Sequence, residues 1–418
     1  MKSAKSDKEK KKDSICENIS AEKNVFGADL SGTKTKHLIT AIEKERRFYV
    51  GGHNGKQILE NALTKLGMKL TDDSNNFFIK WVECKKSINY DKFKEGYQIV
   101  NHIQNASCLT TKIGLLKTLR DYEKNQKLLK KKFSVNNFYM ETYLVDSSHE
   151  SQMFFQTFKK GELWICKPSS RNQGKGIFLV DDLSQFKKKI IDEKLSSVFS
   201  KPCWIIQRYL MNPLLIHGCK FDVRVYMLIA SVQPCLAFYH TGYARVTCVP
   251  YTNENLDLNV HLTNQYVQKK NLLYKEMKEQ TVLSFDQLNK YINENVKESK
   301  QLPNDWVLNG FQDSMKVIMV DCLKASLDKL DKKKGCFDLL GFDFIIDENM
   351  KVWLIEINTN PALHTNCSVL NNLLPPMIDE VLSIEIELFD TNLVGELKSL
   401  LNFQPIFNSS TRYQFQTK

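Results

Sequence analysis

The chain of 418 residues carries 59 Lys+Arg against 48 Asp+Glu, a formal net charge of +11, and 42% of its residues are hydrophobic. That length allows about two to four folding units, and that apolar content excludes a chain disordered throughout. Residues 1–24 hold seven lysines and five acids, so they contribute only +2; the remaining +9 belongs to the body and points to an anionic partner, whether nucleic acid, an anionic membrane, a phosphorylated ligand or an acidic protein.

In chain order, residues 1–45 read as a flexible, charged leader without periodicity. Residues 48–55 read as a strand and a glycine-rich turn, 56–66 as an amphipathic helix and 77–82 as a strand. Residues 109–132 read as helical, with apolar positions Ile113, Leu116, Leu119 and Leu128 and with Thr110 and Thr111 as caps. Short strands follow at 164–168, 178–180 and 204–210, the first two separated by the glycine-containing loop 169–177. The apolar stretch 225–239 is broken by Gln233-Pro234, which predicts two strands and a turn and falls short of the roughly 20 residues that a membrane helix needs. A polar, helix-bearing insertion (253–304), a long helix (305–330) and a hairpin complete the pattern, and a polar tail follows residue 389. No internal repeat is present in the sequence.

The eleven cysteines form no C-x-x-C pair and several lie in apolar runs, which predicts reduced thiols in a cytosolic protein. The eight histidines show no helical ligand spacing, against a zinc site, and the lysine-rich N-terminus lacks the apolar region of a secretion signal.

Three segments can carry chemistry. Strands 336–347 and 351–358 flank a turn at Glu348-Asn349; with Ile346 facing Lys351, Asp343 lies opposite Leu354 and diagonal to Glu356. Alternation then places Asp343, Glu356 and Asn358 on one face, an all-oxygen set that suits Mg²⁺ or Mn²⁺; the plainer reading is a solvated sheet face. In Lys220-Phe-Asp-Val-Arg-Val-Tyr226, period two puts Lys220, Asp222 and Arg224 on one face and Phe221, Val223 and Val225 on the other. That describes either a polar cleft for phosphate and carboxylate groups or a cross-strand salt-bridge ladder. Lys167 ends a buried strand within reach of a phosphate, and Gln173-Gly-Lys-Gly176 forms either a phosphate-approaching loop or an ordinary turn. Gly51-Gly-His-Asn-Gly-Lys56 lacks P-loop spacing and reads as a turn.

Taken in order, several motifs resemble the tubulin tyrosine ligase-like amino acid ligases, over residues 46–389. They are Lys167-Pro-Ser-Ser with Gly174-Lys-Gly-Ile, Gln207-Arg-Tyr-Leu, Lys220-Phe-Asp-Val-Arg, His261-Leu-Thr-Asn, Leu339-Leu-Gly-Phe-Asp and Glu356-Ile-Asn-Thr-Asn-Pro-Ala-Leu. Within the family, stretches 48–55, 100–105, 109–115 and 360–367 are most similar to the elongating polyglycylase branch.

The resemblance implies an α+β, ATP-grasp-like fold with ATP and Mg²⁺ held between two α+β subdomains and a smaller N-terminal subdomain. The implied bounds are 46–108 for that subdomain, 109–213 for the central one, 214–395 for the metal-bearing one and 396–418 for a polar tail. It implies that Lys112 and Lys167 contact ATP phosphates, that Gln173 and Gly174 cover them, and that Gln207, Arg208, Tyr209 and Leu210 form the adenine-side linker. Lys220, Phe221 and Asp222 would meet the ribose and phosphate side, with Thr263 and Asn264 completing the pocket. Arg224 and Arg245, with Glu356, would act on the acceptor carboxylate and the developing acyl phosphate, and Asp343, Glu356 and Asn358 would hold two Mg²⁺ ions, or Mn²⁺. Where many relatives carry a Ser-rich loop with an arginine before the glycine, this chain has Arg171-Asn-Gln173.

The implied reaction activates a carboxylate with ATP and joins it to glycine, elongating glycine chains on glutamates of acidic protein tails, of tubulin or another Glu-rich protein. The partners implied are such tails and free glycine, with no nucleic acid and no membrane, for a monomer in the cytoplasm, the cytoskeleton, the cilium or the axoneme. Polyglutamylation and non-catalytic ATP or microtubule binding are the competing readings. Nucleic acid answers the charge but finds no basic-aromatic motif here.

Overall fold

A computed structural model describes residues 45–169, 171, 174–196, 203–392, 395–410 and 413–414, and the described residues within Arg47–Lys418 belong to one compact unit. The expected leader, save residue 45, and Gln173 lie outside the described residues.

Strand β1 (Arg47–Gly51) buries Phe48 and Val50 by alternation. The turn after it leads into helix α1 (Lys56–Lys65), whose Leu59, Ala62 and Leu63 form one buried stripe. Strands β2 (Ile79–Val82) and β3 (Ile99–Asn101) add in parallel beside β1. The helical stretch read from 109 is interrupted at Thr111: a short helix, Ser107–Thr110, precedes helix α2 (Lys112–Leu128), which the Thr111 hydroxyl caps by accepting from the Gly114 amide at 3.1 Å. Leu128, assigned to the apolar face by periodicity, is 75% exposed because the last turn of the helix runs beyond the core.

A second, antiparallel sheet contains β4 (Thr142–Leu144), β5 (Trp164–Pro168), β6 (Phe178–Val180) and β7 (Trp204–Arg208), in the order β4-β7-β5-β6. Trp164, Cys166, Trp204 and Ile206 point into an aromatic-rich core with Phe154 and Phe186, which lie on helices α3 (Ser148–Thr157) and α4 (Leu183–Ser196). Alternation sends Ile165, Lys167 and Gln207 to the opposite face, where the candidate site lies.

Strands β8 (Cys219–Val232) and β9 (Cys235–Pro250) turn at Gln233-Pro234, where the break in the apolar stretch predicts it. The insertion after them contains a strand, β10 (Val282–Ser284), before helix α5 (Phe285–Asn295), which opens on a Ser284/Gln287 capping box. The helix expected over 305–330 is shorter: a π-helical turn, Val307–Phe311, runs into α6 (Gln312–Ser326). The hairpin β11 (Cys336–Ile346) and β12 (Val352–Asn358) precedes helix α7 (Ser368–Asp390). Strand β13 (Gln404–Asn408) pairs with β9, so the stretch read as polar tail contributes a strand to the sheet.

Among the described residues, eleven strands form the larger sheet, whose main path runs β10-β9-β8-β11-β3-β2-β1 and ends on Lys69–Leu70. Strand β8 shows how both faces are buried. Phe221, Val223, Val225, Met227 and Ile229 join a core with Met315 and Met319 of α6, whereas Tyr226, Leu228 and Ala230 join a core with Ile378 and Val381 of α7. The architecture is mixed α and β, with helices on both faces of the large sheet.

The hairpin register differs from the sequence expectation. Ile346 faces Val352 and Phe344 faces Leu354, after which Ile355 bulges and Asp343 comes directly opposite Glu356. The cause lies in the turn: Asp347 accepts from the Asn349 and Lys351 amides at 2.9 Å each, and Met350 takes a left-handed φ of 65°. The turn is thus longer than a two-residue connection, and the bulge restores Glu356 to the face of Asp343.

Candidate active site

Strand register assembles the site. Asp222 of β8 is the Cα partner of Arg245 on β9, Arg224 of β8 is the partner of Asp343 on β11, and Asp343 is the partner of Glu356 on β12. Cross-strand neighbours share a face, so five charged side chains, two arginines and three carboxylates, line one edge of a cleft. The salt-bridge ladder and the polar cleft, alternatives on sequence alone, are the same object.

The contacts are close. Arg245 donates to Asp222 through Nε at 2.7 Å and Nη2 at 2.6 Å, and Nη2 also lies 2.9 Å from Asp343 Oδ2. Arg224 reaches Asp343 with Nε on Oδ1 and with Nη2 on Oδ2 at 2.9 Å. The Thr263 hydroxyl donates to Asp222 at 2.6 Å. Burial pushes the Asp343 carboxyl up, but Arg224 and Arg245 outweigh that and hold it below the usual range. Burial likewise opposes ionisation of Glu356, and Lys112, 3.1 Å away, does most to hold its carboxyl low; Lys167 adds to this and Asp343 opposes it.

Two lysines face a cost in the same cleft. Lys167 donates to Gln207 Oε1 at 2.7 Å, and burial pushes its amine down to about 8, with Glu356 opposing and Lys112 adding to the shift. Lys220 donates to the Tyr209 hydroxyl at 2.6 Å, and burial pushes it down to about 7, against the pull of Asp222 and together with the repulsion of Lys167. Burying two amines without full ionic compensation fits a site that awaits an anion.

Two cavities meet here. The first, of about 120 Å³, is lined by Lys112, Lys167 and Gly174, the 207–210 segment, Lys220, Asp222, Thr263, Asn264 and the two acids, together with Ile165, Ile177 and Leu262. The second, of about 820 Å³, is lined by Arg224, Asn358 and the 359–362 segment on one side and by His53, Glu83 and Thr110 on the other. Both cavities are lined by Glu356, Arg245 and Asn264. Phe221 departs from its neighbours Lys220 and Asp222: its side chain is 1% exposed and belongs to the core on the other face. The Arg208 side chain pairs with Glu141 at 2.8 Å and Glu162 at 2.9 Å.

Asp343, Glu356 and Asn358 fit a divalent cation chemically. Their donors are oxygen, they share one face, and Asn358 Nδ2 lies 3.2 Å from Asp343 Oδ2 and 3.4 Å from Glu356 Oε1, so a turn of the amide brings Oδ1 to the same place. Among the described residues no group of three His, Cys, Asp or Glu side chains gathers to hold a metal ion, so the set here is two carboxylates and an amide.

The sequence motifs include His261 and Asn54 but assign neither a role. His261 ends the short Leu258–His261 helix and bonds Tyr209 at 2.8 Å. Asn54 donates to Asn360 Oδ1 at 2.9 Å and to the Pro361 carbonyl at 2.8 Å, and accepts from the Leu363 amide at 2.8 Å, pinning the chain just beyond Asn358. Its placement inside the Gly-His-Asn-Gly turn was the available signal.

The profile of the tubulin-tyrosine ligase family matches residues 90–393. The chain is 42% identical over 388 residues to the protein polyglycylase TTLL10 of Rattus norvegicus, an alignment covering 87% of this chain and 57% of that one. It is 38% identical over 397 residues to a Homo sapiens protein named inactive polyglycylase TTLL10, covering 84% of this chain and 58% of the relative. It is also similar to a probable alpha-tubulin polyglutamylase, Ttll1, of Tetrahymena thermophila, at 31% identity over 346 residues, covering 77% of this chain and 81% of the other. The chain thus spans somewhat over half the length of the polyglycylases it matches.

Proposed function

The chain belongs to the tubulin-tyrosine ligase family, and we propose that within it the chain is an ATP-dependent polyglycylase that ligates glycine to glycine side chains on glutamates of acidic protein tails, those of tubulin or another Glu-rich protein. The observation that carries the reading is the pair of cavities meeting at Glu356, Arg245 and Asn264. An ATP-grasp-like ligase needs a nucleotide on one side and a carboxylate with an amine on the other, joined where the phosphoryl group moves.

On this reading the first cavity takes ATP. Ile165, Ile177 and Leu262 supply apolar walls, the 207–210 backbone meets the base, and Lys112, Lys167 and Lys220 meet the phosphates under Gly174. Asp222 and Thr263 orient Arg245 and keep its charge at the junction. Arg224 and Arg245 attract the acceptor carboxylate and offset charge as it becomes an acyl phosphate. Glycine, entering from the larger cavity, attacks the acyl carbon through its amine, and phosphate leaves. Asp343, Glu356 and Asn358 would hold Mg²⁺, two ions in the full assignment or Mn²⁺ in its place, and the metal would supply charge neutralisation at the transferring phosphoryl group.

Acidic tails suit the basic body, and the reading places a monomeric enzyme at the cytoskeleton, including the cilium and axoneme. Among the described residues no helix is long and apolar enough to cross a membrane. A polyglutamylase is the second reading, favoured by the similarity to the Tetrahymena thermophila protein; a non-catalytic ATP or microtubule binder is the third, favoured by the human relative named inactive. Mass spectrometry of Glu-rich peptides, unmodified and monoglycylated, after incubation with ATP, Mg²⁺ and either glycine or glutamate tests all three. Mass increments of one glycine residue support the proposal, increments of glutamate replace it with the second reading, and no increment with either leaves the third.

A further inference from the structure

We propose that His261 is a positioning residue of the first cavity: it accepts the Tyr209 hydroxyl hydrogen and thereby fixes Tyr209 as the acceptor that holds the Lys220 ammonium in place for a phosphate group of ATP. The inference rests on the nucleotide reading of that cavity. Three hydrogen bonds form a chain. Lys220 Nζ lies 2.6 Å from the Tyr209 hydroxyl, that hydroxyl lies 2.8 Å from His261 Nδ1, and His261 Nε2 lies 2.7 Å from the Asn255 carbonyl oxygen. The last contact sets the direction of all three. A carbonyl oxygen only accepts, so Nε2 carries the hydrogen, and in that neutral tautomer Nδ1 is an acceptor. The Tyr209 hydroxyl must then donate to Nδ1, which leaves its lone pairs for the lysine, a donor only.

The chain is sealed from water. Lys220 and Tyr209 are each 6% exposed and His261 is 1% exposed. The imidazole packs edge-on against the Tyr209 ring, centroids 5.3 Å apart, and against the Tyr251 ring at 5.7 Å. Lys220 Nζ also lies 4.2 Å from the Tyr209 ring centroid. The three residues come from different parts of the fold: the residue after β7, the start of β8, and the insertion after β9. His261 therefore ties the insertion to the phosphate side of the cavity.

Protonation would undo the arrangement, because an imidazolium presents Nδ1–H and cannot accept from Tyr209. Burial holds His261 below its ordinary range; Lys220 acts in the same direction, while the Asn255 carbonyl and Asp257 oppose. The neutral tautomer therefore prevails at neutral pH.

The test uses the full chain with His261→Leu, His261→Asn, Tyr209→Phe and the Leu/Phe double variant. ATP affinity is measured by calorimetry with Mg²⁺, and acylation of Lys220 in the nucleotide-free protein by mass spectrometry. The Leu and Phe variants are expected to bind ATP about fivefold to tenfold more weakly, the double variant no more weakly than either alone. Their Lys220 is expected to acylate faster, having lost the acceptor that favours its charged form (Phe) or the partner that orients that acceptor (Leu). His261→Asn, which offers an oxygen near the Nδ1 position, is expected to stay within about twofold of wild type. Additive losses, or unchanged affinity and reactivity in both single variants while the wild type binds ATP, overturn the proposal alone. A wild type that does not bind ATP overturns the nucleotide reading and the proposal with it. Should His261→Leu fail to fold, Tyr209→Phe, which removes one oxygen, decides the matter with the same readouts.

Discussion

Arg224 and Asp343 are Cα partners on adjacent antiparallel strands, and the guanidinium meets the carboxylate through both Nε and Nη2, the latter at 2.9 Å. Their side chains are 6% and 4% exposed. The pair therefore holds the framework as well as lining the site. Arg224→Met leaves Asp343 buried with Arg245 alone, and is expected to cost about 3 kcal/mol of folding stability, the low end for breaking a buried ion pair. Arg224→Lys recovers only part, because a lysine cannot bridge both oxygens. Chemical denaturation measures both, and a wild-type midpoint for Arg224→Met would refute the framework role.

Glu356 lies at the junction of the two cavities and pairs with Lys112. Glu356→Gln keeps the shape but removes the charge. We expect glycine incorporation to fall at least about 100-fold while the thermal midpoint moves by only a few degrees. Incorporation at the wild-type rate would remove Glu356 from both the metal set and the reaction.

Burial depresses two amines, Lys220 to about 7 and Lys167 to about 8, from an ordinary 10.5. Between those values and 10.5 the native chain binds fewer protons than the unfolded one, so nucleotide-free stability rises with pH across that window. Nucleotide affinity should run the other way. Phosphate oxygens favour charged amines, so ATP binding takes up protons and weakens from pH 7 to 9, by up to about tenfold per unit for each lysine that titrates. Calorimetry in buffers of different ionisation enthalpy reads the uptake directly; zero uptake would contradict the assignment of these lysines to phosphate.

Gly55 takes φ 71°, and a Cβ there would stand 2.5 Å from the Leu363 Cβ. Gly55→Ala therefore combines backbone strain with a clash against the segment that Asn54 pins. It is expected to lose roughly 1–3 kcal/mol of stability. Asn54→Ala is expected to act more on turnover, through the freed 360–363 segment, than on ATP affinity. Equal loss in both would place Asn54 elsewhere in the mechanism.

If the basic body guides acidic tails, raising salt from about 50 to 300 mM should weaken binding of a Glu-rich peptide several-fold, with duplex DNA not competing. Fluorescence anisotropy with both ligands checks this. Effective competition by DNA would return nucleic acid to consideration.

Much of the site was legible because it lies on strands, where period two assigns faces residue by residue. Lys220, Asp222 and Arg224 followed from alternation alone, and so did the common face of Asp343, Glu356 and Asn358. Register across strands was not legible, since it depends on turn length: the Asp347 turn and the Ile355 bulge shifted the hairpin while preserving the face. His261 and Asn54 escaped because their roles depend on partners distant in sequence, Tyr209 and Asn360. The strand β13 escaped because Gln404-Pro-Ile-Phe-Asn408 is short, shows no alternation and carries a proline, which only an edge strand tolerates.

The junction of the two cavities also bears on how such a ligase diversifies. Among the described residues only Glu356, Arg245 and Asn264 belong to both chambers, while His53, Glu83 and Thr110 touch the larger one alone. The chamber that would hold fuel and the chamber that would hold cargo are thus separable in the sequence. On that reading, substitutions in the wall formed by the N-terminal turn and by α2's approach would change what is delivered without disturbing the lysines assigned to the phosphates. A lineage could move from one amino acid to another by altering one wall and preserving the hinge of three shared side chains.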